Sequence, residues 1–173
     1  MILQLIGAVA VFFSCTLIGI YLGNRESYRI ADLSLMKKAL AIIKSEIEYA
    51  KTPLPEALLN TAQRVDKPIS LLFEDFGQKL VQKSANEISD IWGEILESYR
   101  KKTYLSDRDI EYFKSLGKTL GYLDVKMQTA SLNIVSGYIE TEMEMLEETS
   151  IRNKKMYRSL GILGGLAIII LMI

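Results

Sequence analysis

Histidine is absent from this chain, cysteine occurs once and proline three times. Without histidine, the chain lacks the side chain that most often serves as a general base near neutral pH and as a nitrogen ligand for metals. A single cysteine, Cys15, excludes an internal disulfide and a thiolate metal site. Charge is missing by position: no Asp, Glu, Lys or Arg occurs from Met1 to Asn24, and none from Ser159 to Ile173. All 21 basic and all 21 acidic residues fall between, so the middle is formally neutral. That balance gives no sign of the basic face a nucleic-acid partner would require.

The uncharged ends predict two membrane helices with one water-soluble domain between them. From Ile2 to Leu22 the residues are apolar or small, interrupted only by Gln4, Ser14 and Thr16. A run of that length suffices to cross a hydrocarbon core of roughly 30 Å. A cleaved signal peptide would need basic residues before the run. None is present, and the run leads into Tyr21-Leu22-Gly23-Asn24-Arg25, so a retained anchor is expected. The second segment, Leu160 to Ile173, is shorter, about 21 Å as a helix at 1.5 Å per residue. Tyr157 and Arg158 extend it toward the interface. The expected organisation is residues 1–24 transmembrane, 25–158 a helical-bundle domain and 159–173 transmembrane.

Orientation follows from the basic flanks. Arg25 and Arg29 follow the first span, and Arg152, Lys154, Lys155 and Arg158 precede the second. All lie on the domain side, which by the positive-inside rule puts the domain in the cytoplasm. The expected localisation is the cell membrane, with the lipid bilayer as one partner.

The domain reads as all-α. Leu33, Met36, Leu40, Ile43, Ile47 and Ala50 step by three and four, the stripe of an amphipathic helix. This helix is expected to continue from the first span and stop near Lys51, because Thr52-Pro53-Leu54-Pro55 cannot extend it. Pro55 suits the first turn of a second helix, with Ala57, Leu58, Ala62 and Val65 inward. After Asp66-Lys67-Pro68, Ile69, Leu72, Phe73, Phe76 and Leu80 form one apolar face. Ser84-Ala85-Asn86-Glu87 has capping-box spacing and opens a helix carrying Ile88, Ile91, Trp92, Ile95 and Tyr99. Ser106-Asp107-Arg108-Asp109 offers a weaker cap to a helix with Ile110, Phe113, Leu116 and Leu120. Gly121 and Asp124 mark a turn. From Val125 onward Leu132, Ile139 and Leu146 recur every seven residues, and this last helix is expected to run into the second span. First and last helices should form a long antiparallel pair.

Signatures of chemistry are sparse. No Gly-x-x-x-x-Gly-Lys-Ser/Thr loop occurs, and no Ser or Lys sits in a recognisable nucleophile setting. Capping and solvation explain Asp107 and Asp109 more simply than metal ligation. No enzyme activity, cofactor or metal is expected. Glu140, Glu144, Glu147 and Glu148 share one face of the last helix, where like charges repel by about a few tenths of a kcal/mol per pair. A basic partner would relieve that repulsion, whereas solvation of the face, partly neutralised by Arg152, is the simpler account. Gly19 and Gly23 in the first segment, and Gly161 and Gly165 in the second, have the spacing that lets membrane helices approach closely.

Three stretches then carry a resemblance over the whole chain: Glu48-Tyr49-Ala50-Lys51-Thr52-Pro53-Leu54-Pro55-Glu56-Ala57-Leu58; Leu116-Gly117-Lys118-Thr119-Leu120-Gly121 with Asp124 and Gln128; and Lys155-Met156-Tyr157-Arg158-Ser159-Leu160-Gly161. In these the chain resembles the stage III sporulation protein AB family, membrane components of the apparatus joining mother cell and forespore. The resemblance implies a domain similar to F-type platform proteins of type II secretion and type IV pilus machines. It also implies a cytoplasmic secretion-type ATPase and other membrane components of the channel as partners, with self-association left open. A two-span sensor with a helical ligand-binding domain is the rival reading. It would need the opposite orientation and an output module beyond Ile173.

Overall fold

The computed structural model describes residues 2–82, 88–120 and 124–172; side chains at 2–6, 8, 9, 169, 171 and 172 are outside the description. The expected capping box at Ser84–Glu87 and the turn residue Gly121 therefore lie outside the described residues. Among the described residues the chain is all-α, with α1 Ile2–Glu48, α2 Leu54–Ala62, α3 Ile69–Gln82, α4 Ile88–Tyr99, α5 Asp107–Leu120 and α6 Val125–Met172. It divides into two compact units, Arg29–Met143 and the two chain ends, Met1–Tyr28 with Glu144–Ile173.

In the Arg29–Met143 unit the apolar stripes converge on one core. Leu33, Met36, Leu40 and Ile43 of α1 meet burial at 1% exposure or less, as do Leu132, Val135 and Ile139 of α6. Trp92 anchors the middle: its ring lies 5.8 Å from Phe73 and 4.8 Å from Phe76, and its indole N–H donates to the Phe113 carbonyl at 2.6 Å. Burying side chains of this size contributes about 1.5–3 kcal/mol each, and the satisfied N–H removes the penalty a buried indole would otherwise carry. Gly117 of α5 fits against this ring because a Cβ there would lie 2.9 Å from Trp92 Cδ1.

Two sequence expectations need correction. Ala50 is exposed and outside α1, which ends at Glu48. Lys51 takes φ 56°, and the Thr52 N–H donates to the Glu46 carbonyl at 3.0 Å, closing the helix in a Schellman-like turn that glycine usually makes. Ala62 is only half-buried, because Thr61 takes the inward position. Its hydroxyl donates to the Ala57 carbonyl at 2.7 Å, so it is buried with its polar group satisfied. Val65, also expected inward, is buried but lies beyond the end of α2.

The chain-end unit consists of the first part of α1 and the last part of α6. Among the described residues no helix is long and apolar enough to cross a membrane.

Candidate functional site

The most heavily bonded polar cluster lies inside the Arg29–Met143 unit, and it starts from a helix cap. Ser106 Oγ accepts the Asp109 N–H at 3.2 Å, and the Ser106 N–H donates to Asp109 Oδ2 at 2.7 Å. This is a capping box with Asp in the place usually held by Glu. It draws Asp109 inward to full burial. There the Arg29 guanidinium grips the carboxylate with two bonds, Nε to Oδ2 at 2.8 Å and Nη2 to Oδ1 at 2.7 Å. Arg29 Nη2 also reaches Glu142 Oε2 at 2.7 Å, and the Tyr138 hydroxyl donates to Asp109 Oδ1 at 2.7 Å. Tyr138 stacks on Tyr112 with ring centroids 3.8 Å apart.

Burial alone pushes the Asp109 carboxyl up; donors from Arg29, Tyr138 and Ser106 more than offset it and hold the group below the usual carboxylate range. Arg29 is held above its ordinary value, chiefly by its bond to Asp109. Burial, and then the bond to Asp109, push the Tyr138 phenol up. One acid, Asp32, moves the other way. Its burial raises it, although the Tyr104 N–H donates to Oδ2 at 2.6 Å. Every charge in the cluster is matched by an opposite charge or by donors, so the arrangement ties α1, α5 and α6 together.

Periodicity carried a signal for this cluster. Arg29 is four residues before Leu33, Asp109 four before Phe113, and Glu142 three after Ile139, all on their helices' apolar stripes. Charges of opposite sign at core positions of different helices point to a buried pair. The charge pattern along the sequence puts Arg29 in the basic membrane flank, but its guanidinium is committed to Asp109 and Glu142.

The other predicted residues fall as follows. In the chain-end unit, a Cβ on Gly19 would lie 2.7 Å from the Tyr157 carbonyl oxygen and 3.0 Å from Gly161 Cα. One on Gly161 would lie 2.9 Å from the Cys15 carbonyl, one on Gly165 3.1 Å from the Phe12 ring, and one on Gly23 3.4 Å from Lys154 Cα. The structure therefore brings all four glycines into one antiparallel seam, continued by the Asn153 amide donating to Glu26 at 2.7 Å. Arg25, Arg152, Lys154, Lys155 and Arg158 are exposed. Glu144, Glu147 and Glu148 are exposed in this unit, without ion pairs among the described residues. Glu140 belongs to the other unit, where Lys37 meets it at 2.9 Å. No group of three or more Cys, Asp or Glu among the described residues is arranged to hold a metal ion.

Residues 4–173 match the sequence profile described as stage III sporulation protein AB. The chain belongs to that family. It is 29% identical over 170 residues to the stage III sporulation protein AB of Bacillus subtilis (strain 168), an alignment covering 98% of this chain and 99% of the relative. A solved structure of a stage III sporulation protein AB superposes with a TM-score of 0.64 at 25% identity, covering 72% of this chain and 97% of the solved one. Family membership makes this a protein of sporulation stage III. Within the family fold, the Arg29–Asp109 cluster holds helices distant in sequence in one unit.

Proposed function

We propose that this protein is a two-span membrane platform of the sporulation channel between mother cell and forespore. Its helical domain faces the cytoplasm and holds a secretion-type ATPase against the membrane complex, without chemistry of its own. The observation that carries this reading is the chain-end unit. The two apolar ends pair with each other through glycine, and the exposed Arg25, Arg152, Lys154, Lys155 and Arg158 follow the first segment and precede the second. A helical hairpin with charge on one side only suits insertion with that side in the cytoplasm. The buried charges of the other unit support a scaffold role, since they neutralise one another and tie helices together.

Topology is tested by single cysteines at the exposed positions Ser98 and Ser115 in a Cys15→Ser background. Both should resist membrane-impermeant thiol reagents in intact cells and react after permeabilisation. Labelling without permeabilisation would reverse the orientation and remove the platform reading. ATPase docking is assigned to the exposed acidic residues Glu144, Glu147 and Glu148. Reversing their charge together should reduce co-purification of the ATPase from sporulating cells, with the difference from the wild type shrinking at higher salt as both attraction and repulsion are screened. Undiminished co-purification would leave these glutamates as a solvated face, and nucleotide hydrolysis by the purified protein would refute the platform itself.

A further inference from the structure

We propose that the turn between α4 and α5 is a lipid-contacting element that rests on anionic phospholipid headgroups; this deepens the two-span reading above and depends on it. The location comes from contacts inside the Arg29–Met143 unit. Helix α5 begins beside Arg29 and Tyr138 through Asp109 and ends beside Gln128, whose amide donates to the Leu120 carbonyl at 3.1 Å. It therefore runs away from the end of the unit where α1 enters and α6 leaves. The turn before it sits at that same end, fastened to α1 by the Tyr104 N–H on Asp32 at 2.6 Å. Asp32 follows Asn24, the last residue of the uncharged run, by little more than two helical turns of sequence.

The turn is held in shape before any lipid arrives. The Lys102 N–H and the Thr103 hydroxyl donate to the Tyr99 carbonyl at 2.9 and 3.0 Å, Leu105 is buried, and the Ser106–Asp109 box closes the far side. Its exposed surface carries two lysines that no ion pair neutralises among the described residues. Glu97 is bonded by Arg100 and by Lys114 at 2.5 Å, and Asp107 also meets Arg100. Those two acids and two bases cancel, and Arg108 meets Glu142 at 3.6 Å, which leaves Lys101 and Lys102. Lys101 and Lys102 are exposed, the latter with its ammonium 4.1 Å above the Tyr99 ring. Tyr104 stands 38% exposed among them, an amphipathic ring of the kind enriched at headgroup level. Basic side chains attract an anionic leaflet within roughly one Debye length, about 8 Å at physiological salt. Two exposed lysines two and three residues before an exposed tyrosine, at the end of the unit where α1 enters and α6 leaves, match such a surface.

The experiment uses the full chain with Cys15→Ser, reconstituted in phosphatidylcholine vesicles with or without phosphatidylglycerol. A fluorophore is placed by Tyr104→Cys, and in separate samples by Tyr49→Cys at the far end of α1 or Tyr21→Cys in the apolar segment. Headgroup spin-labelled lipid should quench the Tyr104 probe at least about threefold more than the Tyr49 probe in anionic vesicles. The excess should fall by about half or more with Lys101→Glu plus Lys102→Glu, in pure phosphatidylcholine, or at high salt. Equal quenching at the Tyr104 and Tyr49 probes, with the Tyr21 probe quenched by acyl-chain spin label, overturns the inference and leaves the two spans standing. Tyr104 quenching indifferent to lipid charge and to the double substitution overturns the headgroup assignment. A Tyr21 probe untouched by acyl-chain label refutes the two-span reading, and the inference falls with it.

Discussion

Arg29 and Asp109, eighty residues apart in sequence, meet in a two-bond fork inside the helical unit, with both carboxylate oxygens and two guanidinium nitrogens engaged. The relationship joins the first long helix to a cap that would otherwise be a surface feature. Removing one partner strands the other. Asp109→Asn should destabilise the protein by about 3 kcal/mol, the cost of breaking a buried pair from one side. Arg29→Lys should lose much of the same, because an ammonium cannot reproduce the planar fork. Chemical denaturation of the full chain in detergent reads both, and a loss below 1 kcal/mol for Asp109→Asn would show the pair to be dispensable. The native Asp109 carboxyl lies below its unfolded value, so its contribution is present above the ordinary carboxylate pKa, about 3.9, and is lost as pH falls through the lower native value.

Asp32 provides the opposite sign. Its native pKa is raised, so the folded chain holds that proton more tightly than the unfolded chain does. Stability from this group is present at low pH and falls as pH rises from about 3.9 through the raised native value. Asp32→Asn keeps an acceptor for the Tyr104 N–H and removes the titration. The difference in denaturation midpoint, variant minus wild type, should therefore grow across that window. A difference constant with pH would contradict the assignment.

The stripes of α1 and α6 are apolar and buried where Ile43 and Ile139 stand. Ile43 is 1% exposed and Ile139 fully buried, so Ile43→Asp or Ile139→Asp should cost about 3–5 kcal/mol by placing an unpaired carboxylate in the core. Thermal melts that hardly move with either substitution would refute the packing.

The glycine seam can be locked covalently. A Cβ built on Gly165 lies 3.5 Å from Cys15 Cβ, at the near edge of disulfide geometry. Gly165→Cys should form an internal disulfide with Cys15 under mild oxidation once the Phe12 ring shifts aside, whereas Gly164→Cys, which faces open space, should not. Mass spectrometry of proteolytic fragments distinguishes the two. Bridging by neither, or by both alike, would count against the seam.

Much of this fold was legible because burial follows the helical period. The faces of α3, α4 and α5 read from Ile69, Trp92 and Phe113 onward are the faces the structure buries. The misses have local causes. Ala50 continues the stripe on paper, but Lys51 accepts a left-handed conformation that the residue type disfavours and ends the regular helix earlier. Arg29 was read as membrane flank because a rule about charge near spans ignores partners far away in sequence. Its position on the apolar stripe was the better guide. The basic turn at Lys101 and Lys102 was invisible as a feature of the chain's entry end, since only the direction of α5 brings it there.

The buried Trp92 also gives this protein a private optical channel. It is the only tryptophan in the chain, and it lies wholly within the Arg29–Met143 unit, dry and bonded to the Phe113 carbonyl. Its emission should be blue-shifted in the native state and move to the red only when that unit opens. Indole fluorescence therefore follows the helical unit alone, even in a bilayer or micelle, and an unfolding curve recorded this way is blind to separation of the chain ends.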